Sequence, residues 1–193
     1  MSKAKLFSDQ ELSVIQNHYR LDRDSGRIYH TTNSEAQRIG NRGGVRAEGF
    51  YFKEGDECVG YTTDSGYQLI RNNFGGIKIR LRKHILVWIL HYGCQPSGVI
   101  DHIDRDKQNC APANLREANE SLNGANKGKY KLDASSHFKG VCWDKSRGKW
   151  KSEIKVMGKK THLGRFESEI KAAEAYNEAA IHHFGEFACL NEI

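Results

Sequence analysis

The stretch VIDHIDRDKQNCAPANLREANESLNGANK, residues 99–127, sets Asp101 and His102 side by side and then spaces asparagines behind them. Residues 99–103 read as a strand, the polar run after them as a loop, residues 114–118 as a second short strand and 120–126 as a helix. Adjacent side chains on a strand point to opposite faces. Asp101 and His102 therefore serve one site only if backbone curvature and a ligand at the strand edge bring both near it. The pattern asks what chemistry combines one carboxylate, one imidazole and several neutral amides.

On the N-terminal side, HILVWILHYG (84–93) is apolar almost all round and ends in glycine, which predicts a helix buried on most sides and closed by Gly93. His84 and His91 flank it, and as rim histidines of a buried helix neither is assigned a chemical role. GYQLIRNNFGGIKIRLRKH (66–84) reads as a hairpin turning at Asn-Phe-Gly-Gly, and YRLDRDSGRIYHTT (19–32) as another around Asp-Ser-Gly. Residues 39–66 are glycine-dense and loop-rich, and residues 1–18 form a charged, loosely amphipathic lead-in.

On the C-terminal side, KGKYKLDASS (127–136) has the polar, small-residue character of a linker. FKGVCWD, KWKSEIKVM and KKTHLGRF then predict three short strands, followed by a helix from Glu169 with Ser168 as N-cap and Gly185 closing it. Ile170, Ala173, Tyr176 or Asn177, Ala180 and Phe184 recur at helical period and predict the face laid on the sheet. In the middle strand Trp150, Ser152 and Ile154 point one way, and Lys149, Lys151, Glu153 and Lys155 the other. The lysine face is expected to be open, with Trp150 and Tyr176 in the core.

The chain has 193 residues, a formal charge of +6 and 38% hydrophobic residues, as expected of a folded protein with two modest cores. The charge is concentrated: residues 127–165 hold twelve Lys and Arg against three acids. Such a local excess suits a polyanion as partner. Five cysteines, widely spread and never in a C-x-x-C pair, indicate neither a disulfide framework nor a zinc knuckle. The opening MSKAKLFSDQEL lacks a signal-peptide core, and the longest apolar run, 85–90, is too short to span a bilayer. A cytoplasmic protein is expected, that of a bacterial host if the chain is phage-encoded, with no membrane and no obligate protein partner.

Asp101-His102, then N-L-R with Asn114 twelve residues after the histidine, then Asn123 nine further on, resemble the ββα-metal fold of the HNH nucleases, in particular their phage homing-endonuclease branch. The last position, often histidine in the wider family, is asparagine here, as also occurs in the homing branch. The resemblance implies phosphodiester hydrolysis with one divalent cation, Mg²⁺ or Mn²⁺, held by Asp101 and Asn123. It makes His102 the general base towards the attacking water, suited by an ordinary pKa near neutrality. Asn114 completes the catalytic set by bracing the loop that holds the histidine. Asn126 shares a helix face with Asn123 as a substitute ligand or DNA contact, while Asn119, Asn109 and Asp104 are read as cap and turn residues.

Residues 136–191 resemble the Apetala-two, or ethylene-response-factor, DNA-binding domain of plants through F-K-G-V, G-K-W-K-S-E-I-K, L-G-R-F, A-A-x-A-Y-N-x-A-A and F-G-E-F-A-C-L-N. That resemblance implies a sheet lying in the major groove of duplex DNA, with contacts at Lys139, Arg147, Glu153, Lys155, Lys160 and His162 and Trp143 as a neighbour. Several arginines of that family are lysine here, and lysine lacks the fork that reads guanine bidentately. Phosphate contact is therefore expected to outweigh base discrimination.

The expected whole is α+β: a strand-rich lead at 1–70, an HNH nuclease core at 71–127, a linker at 128–135 and, at 136–193, a three-stranded antiparallel sheet packed on one helix. Its expected function is a metal-dependent, homing-type DNA endonuclease with a C-terminal duplex-DNA-binding module. The rival is a DNA-binding transcriptional regulator whose nuclease site is vestigial.

Overall fold

The structure is a computed structural model that describes residues 7–33, 52–128 and 135–193. The chain is α+β and divides into two compact units, Met1–Glu117 and Ala118–Ile193.

In the first unit the lead-in is a helix, α1 (Asp9–His18). Ser8 caps it: its hydroxyl accepts from the Glu11 N–H and the Glu11 carboxylate accepts from the Ser8 N–H. This reciprocal pair satisfies two otherwise orphaned donors, and S-x-x-E at residues 8–11 is its readable signature. Strands β1 (Tyr19–Leu21) and β2 (Ile28–His30) come next as the expected hairpin. A second antiparallel sheet has the order β3 (Tyr61–Thr62), β4 (Gln68–Phe74), β5 (Ile77–Arg82). β4 turns into β5 through Gly75 and Gly76, at φ of 56° and 91°, where a side chain would strain the backbone.

Helix α2 (Lys83–Tyr92) continues directly from β5 and stops at Gly93, whose left-handed φ of 74° lets its N–H reach the Ile89 carbonyl. β6 (Val99–His102) and β7 (Leu115–Ala118) form a further two-stranded sheet. Ile15, Ile28, Ile70, Ile79, Leu86 and Ile89 are almost wholly buried in one cluster. The elements before residue 70 thus share one core with β4, β5 and α2. Of the glycine-dense segment, residues 39–51 lie outside the described residues.

The second unit starts with helix α3 (Glu120–Asn126). Beyond it β8 (Val141–Asp144), β9 (Lys149–Val156) and β10 (Lys159–Phe166) make an antiparallel sheet in the order β10-β9-β8, and α4 (Glu169–Phe184) covers one face. Ser168 caps α4 as expected. Gly140 approaches α4 so closely that a Cβ there would lie 2.1 Å from the Tyr176 ring, and its φ is 77°. Only glycine fits in the F-K-G-V segment. Asn191 accepts from the Lys139 N–H and donates to the Lys139 carbonyl, at 2.6 and 3.1 Å, while the Asn177 amide pairs with the Asn191 backbone. The chain end is thereby tied to the start of the sheet.

Two expectations shift. The face of α4 that is buried carries Ala172, Ala173, Tyr176, Ala180 and Phe184, whereas Ile170 is 49% exposed. The face follows the i, i+4 row of the helix middle, and Ile170 lies in the first turn. The unit boundary also falls before α3, whereas the sequence reading put a linker at 128–135. Ala125 is buried with Ile154, Tyr176, Ala180 and Phe184, and the Ser121 hydroxyl accepts from the Met157 N–H at 3.2 Å. Residues 129–134 of that linker lie outside the described residues.

Candidate active site

Asp101 and His102 end β6 and are both buried, at 6% and 4% exposure. The strand alternation separates their surroundings. Asp101 faces Arg116 of β7, whose Nε and terminal nitrogen donate to Oδ2 at 3.2 and 3.1 Å. Arg116 is the arginine of N-L-R, to which the sequence reading gave no role. A charge-assisted pair of this kind gives the buried carboxylate a partner and fixes its orientation.

His102 lies among other groups. Its ring centroid is 4.9 Å from that of His84, edge to face at 89°, and 6.1 Å from that of Tyr67. Its Nε2 is 4.0 Å from the Cys110 Sγ. Burial holds the His102 pKa below the usual imidazole range, with Lys107 acting in the same direction and Asp104, Asp101 and Asp106 opposing. Burial takes His84 further, to about 3, helped by His102 and Arg82. Burial also pushes the Cys110 thiol up to about 11. At neutral pH both rings are therefore neutral and the thiol keeps its proton. His84 and Cys110 were not assigned to the site from sequence, because a buried histidine or cysteine carries no local signal of its neighbours.

The loop between β6 and β7 is built by side-chain amides. Asn114 accepts from the Asp104 N–H at 3.0 Å through Oδ1, and its Nδ2 donates to the Asp104 carboxylate and the Asn109 carbonyl, each at 2.8 Å. The Asn114 carbonyl accepts from the Ile103 N–H. Asn109 adds a bond to Asp104 at 2.7 Å. Burial raises the Asp104 pKa, but the bonds from Asn114, Asn109 and the Asp106 N–H outweigh it and leave it lowered. Gly26, in the β1–β2 turn, lies against this loop: a Cβ there would be 2.3 Å from the Cys110 carbonyl oxygen.

Asp101, His102 and Asn114 thus share one hairpin, and Asn123 is on α3 of the second unit. Asn119 caps α3 by accepting from the Leu122 N–H at 2.9 Å, and Asn126 is buried. Among the described residues no group of three or more His, Cys, Asp or Glu side chains could hold a metal ion. The Asp101 carboxylate is of the hard-oxygen type that Mg²⁺ takes, since Mg²⁺ binds through one or two carboxylates and keeps water or phosphate oxygens for the rest.

In the second unit the residues expected to touch DNA fall into two groups. Lys155 pairs with Lys160 and Glu153 with His162 across β9 and β10, on the face opposite buried Ser152 and Ile154. Arg147 stands in the β8–β9 turn, 3.5 Å from Asp144. Arg165 also binds Asp144, at 2.8 Å, and these bonds hold the Asp144 carboxyl well below its usual range. Lys139 and Trp143 are placed elsewhere. The Lys139 ammonium donates to the Ala125 carbonyl and lies over Tyr176, and Trp143 packs against Trp150 on the Val141 side of the sheet. Lys139 is thus engaged within the unit, whereas Trp143 is 38% exposed.

Residues 81–125 match the family model described as HNH endonuclease. The matched segment runs from the end of β5 into α3 and contains Asp101, His102, Asn114 and Asn123. Among curated proteins, the chain is 34% identical over 134 residues to the uncharacterized HNH endonuclease L560 of Acanthamoeba polyphaga mimivirus, over 69% of this chain. It spans 66% of that relative's own length. Among solved structures it is similar to the HNH homing endonuclease I-HmuI, in a structure titled for DNA binding and cleavage, with 24% identity and a TM-score of 0.39 over 56% of this chain and 51% of that one. No helix among the described residues is long and apolar enough to cross a membrane.

Proposed function

We propose that the protein is a metal-dependent, homing-type endonuclease that hydrolyses phosphodiester bonds in duplex DNA. The observation that carries this reading is the β6–β7 pair inside the HNH segment, where a buried, neutral imidazole ends β6 next to a loop braced by Asn114. His102 in that state can accept a proton from a water held before the phosphate. Its other neighbours, His84 and Cys110, offer no charge that would compete for the proton at neutral pH. Asn114 acts by fixing the loop, so that the imidazole is held in one place through the turnover. Arg116 orients the Asp101 carboxylate.

Asp101 and Asn123 would hold the divalent ion, Mg²⁺ or Mn²⁺, which when bound supplies stabilisation of the charge that develops on the phosphate and the leaving oxygen. Lys155, Lys160, Arg147, Glu153 and His162 would lie along the DNA, and their lysine-rich composition favours phosphate contact over base reading. A cytoplasmic location and a partner restricted to DNA accord with this activity.

The Asp101–Arg116 pair favours one other reading, a DNA-binding regulator in which Asp101 is structural and no cleavage occurs. Conversion of supercoiled plasmid by wild type and His102→Ala, with Mg²⁺, Mn²⁺ or chelator, separates the two. Metal-dependent nicking or linearisation lost in the variant supports the nuclease. Salt-sensitive binding with no cleavage of any DNA supports the regulator.

A further inference from the structure

Tyr67 and Lys107 stand near His102 and Arg82 lies over the Tyr67 ring, and none of the three has a part in the proposed proton transfer. The Arg82 guanidinium carbon lies 4.3 Å and the Lys107 Nζ 4.8 Å from the Tyr67 ring centroid, and that ring is 6.1 Å from the ring of His102. The two cationic centres are thus no more than about 9 Å apart, close to the ~8 Å screening length at physiological salt. A ring face attracts each cation, yet it leaves their mutual repulsion in place. Among the described residues neither Arg82 nor Lys107 is ion-paired to a carboxylate.

The arrangement is held from below. The Lys107 Nζ donates to the Ser65 carbonyl at 2.8 Å and Gln108 donates to the Gly66 carbonyl, so the loop carrying Lys107 is fastened to the 63–67 turn that carries Tyr67. That turn is closed by its own bonds between Thr63 and Tyr67. An ammonium has three donors, and the Ser65 carbonyl uses one. Two cations are therefore gathered around one ring, and among the described residues neither is ion-paired to a carboxylate.

We propose that Arg82 and Lys107, set around Tyr67, form a subsite for a backbone phosphate adjacent to the one that is cut. The inference rests on the nuclease reading and extends it to the substrate strand. A phosphate held there would meet the guanidinium fork and the ammonium together, and would add to the binding of the strand that is cut without entering the chemical step.

The test uses the full chain and a duplex containing a cut position mapped on plasmid DNA. Arg82→Gln, Lys107→Gln and the double variant are compared with wild type for KM, kcat and salt dependence, after thermal melting has shown that each folds. The double variant is expected to raise KM about tenfold with kcat little changed, and to lower the salt slope of kcat/KM by about one or more. A single methylphosphonate next to the cut should weaken wild type comparably and the double variant hardly at all. A folded double variant with wild-type KM and slope would overturn the subsite alone. If the double variant does not fold, the methylphosphonate scan on wild type decides: sensitivity at a neighbouring phosphate supports the subsite, and insensitivity there overturns it. No cleavage by wild type with any metal would overturn the nuclease reading and the subsite with it.

Discussion

β6 in the first unit and β9 in the second treat their polar side chains in opposite ways. β6 turns Asp101 and His102 inward, each against fixed partners, whereas β9 buries Ser152 and Ile154 and turns Lys155 outward. Burial keeps an imidazole neutral and fixed neighbours keep its aim, while a surface for a polyanion works by releasing counterions and needs its cations in water. The difference predicts that substitutions in β6 act on chemistry and stability, and those on the outer face of β9 act on salt-dependent affinity.

The largest expected effect is that of His102→Ala. Loss of a general base should slow cleavage about 10²- to 10⁴-fold while DNA binding, measured by fluorescence anisotropy, stays within about twofold of wild type. A variant that cuts normally would remove the contrast between the strands. Arg116→Gln comes next, because it leaves the buried Asp101 carboxylate without its guanidinium. It should cost about 3 kcal/mol in urea denaturation, with loss of cleavage in step.

Gly140→Ala tests the second unit by backbone rather than charge. The clash with Tyr176 and the positive φ should cost on the order of 2–3 kcal/mol, read as melting of the C-terminal unit and loss of DNA affinity.

His30 gives a pH test remote from Asp101. It is stacked on Phe52 at 3.5 Å between centroids, and burial lowers its pKa from 6.5 to about 4. In that window the unfolded chain binds the extra proton, so His30 contributes stability that falls as pH drops from about 6.5 towards 4. The loss should be on the order of 2 kcal/mol, and His30→Gln should flatten that part of the profile. The smallest effect is expected for Lys155→Gln with Lys160→Gln: each should lower the salt slope of DNA binding by about one without changing the melting point. A change in kcat with an unchanged slope would contradict the assignment of the outer face to phosphate contact.

What the sequence made legible was local. The apolar run before Gly93, the two-residue period of β9 and the serine before α4 each announce an element through chemistry within a few residues, and each stands where it was expected. The spacing of Asp101, His102 and Asn114 likewise marked the hairpin. What it did not reveal depends on register and tertiary packing. Arg116 meets Asp101 because two strands fifteen positions apart along the chain pair in one particular alignment. Lys139, counted among cations for DNA, turns to the Ala125 carbonyl because the end of α3 lies within its reach. Ile170 looked like core by period, yet its turn precedes the part of α4 that is buried. His84 was set aside as packing, and it is packing, but against the ring of His102.

Gly26 carries a consequence for how portable this machinery is. The β1–β2 turn forms the floor under the Cys110 carbonyl, at a separation that excludes even a methyl group. Residues 81–125, lifted out as a cassette and spliced into another host protein, would arrive without that floor. The recipient would have to supply a bare stretch of main chain at the same spot. A transplant that keeps this packing has to reach back to the first hairpin.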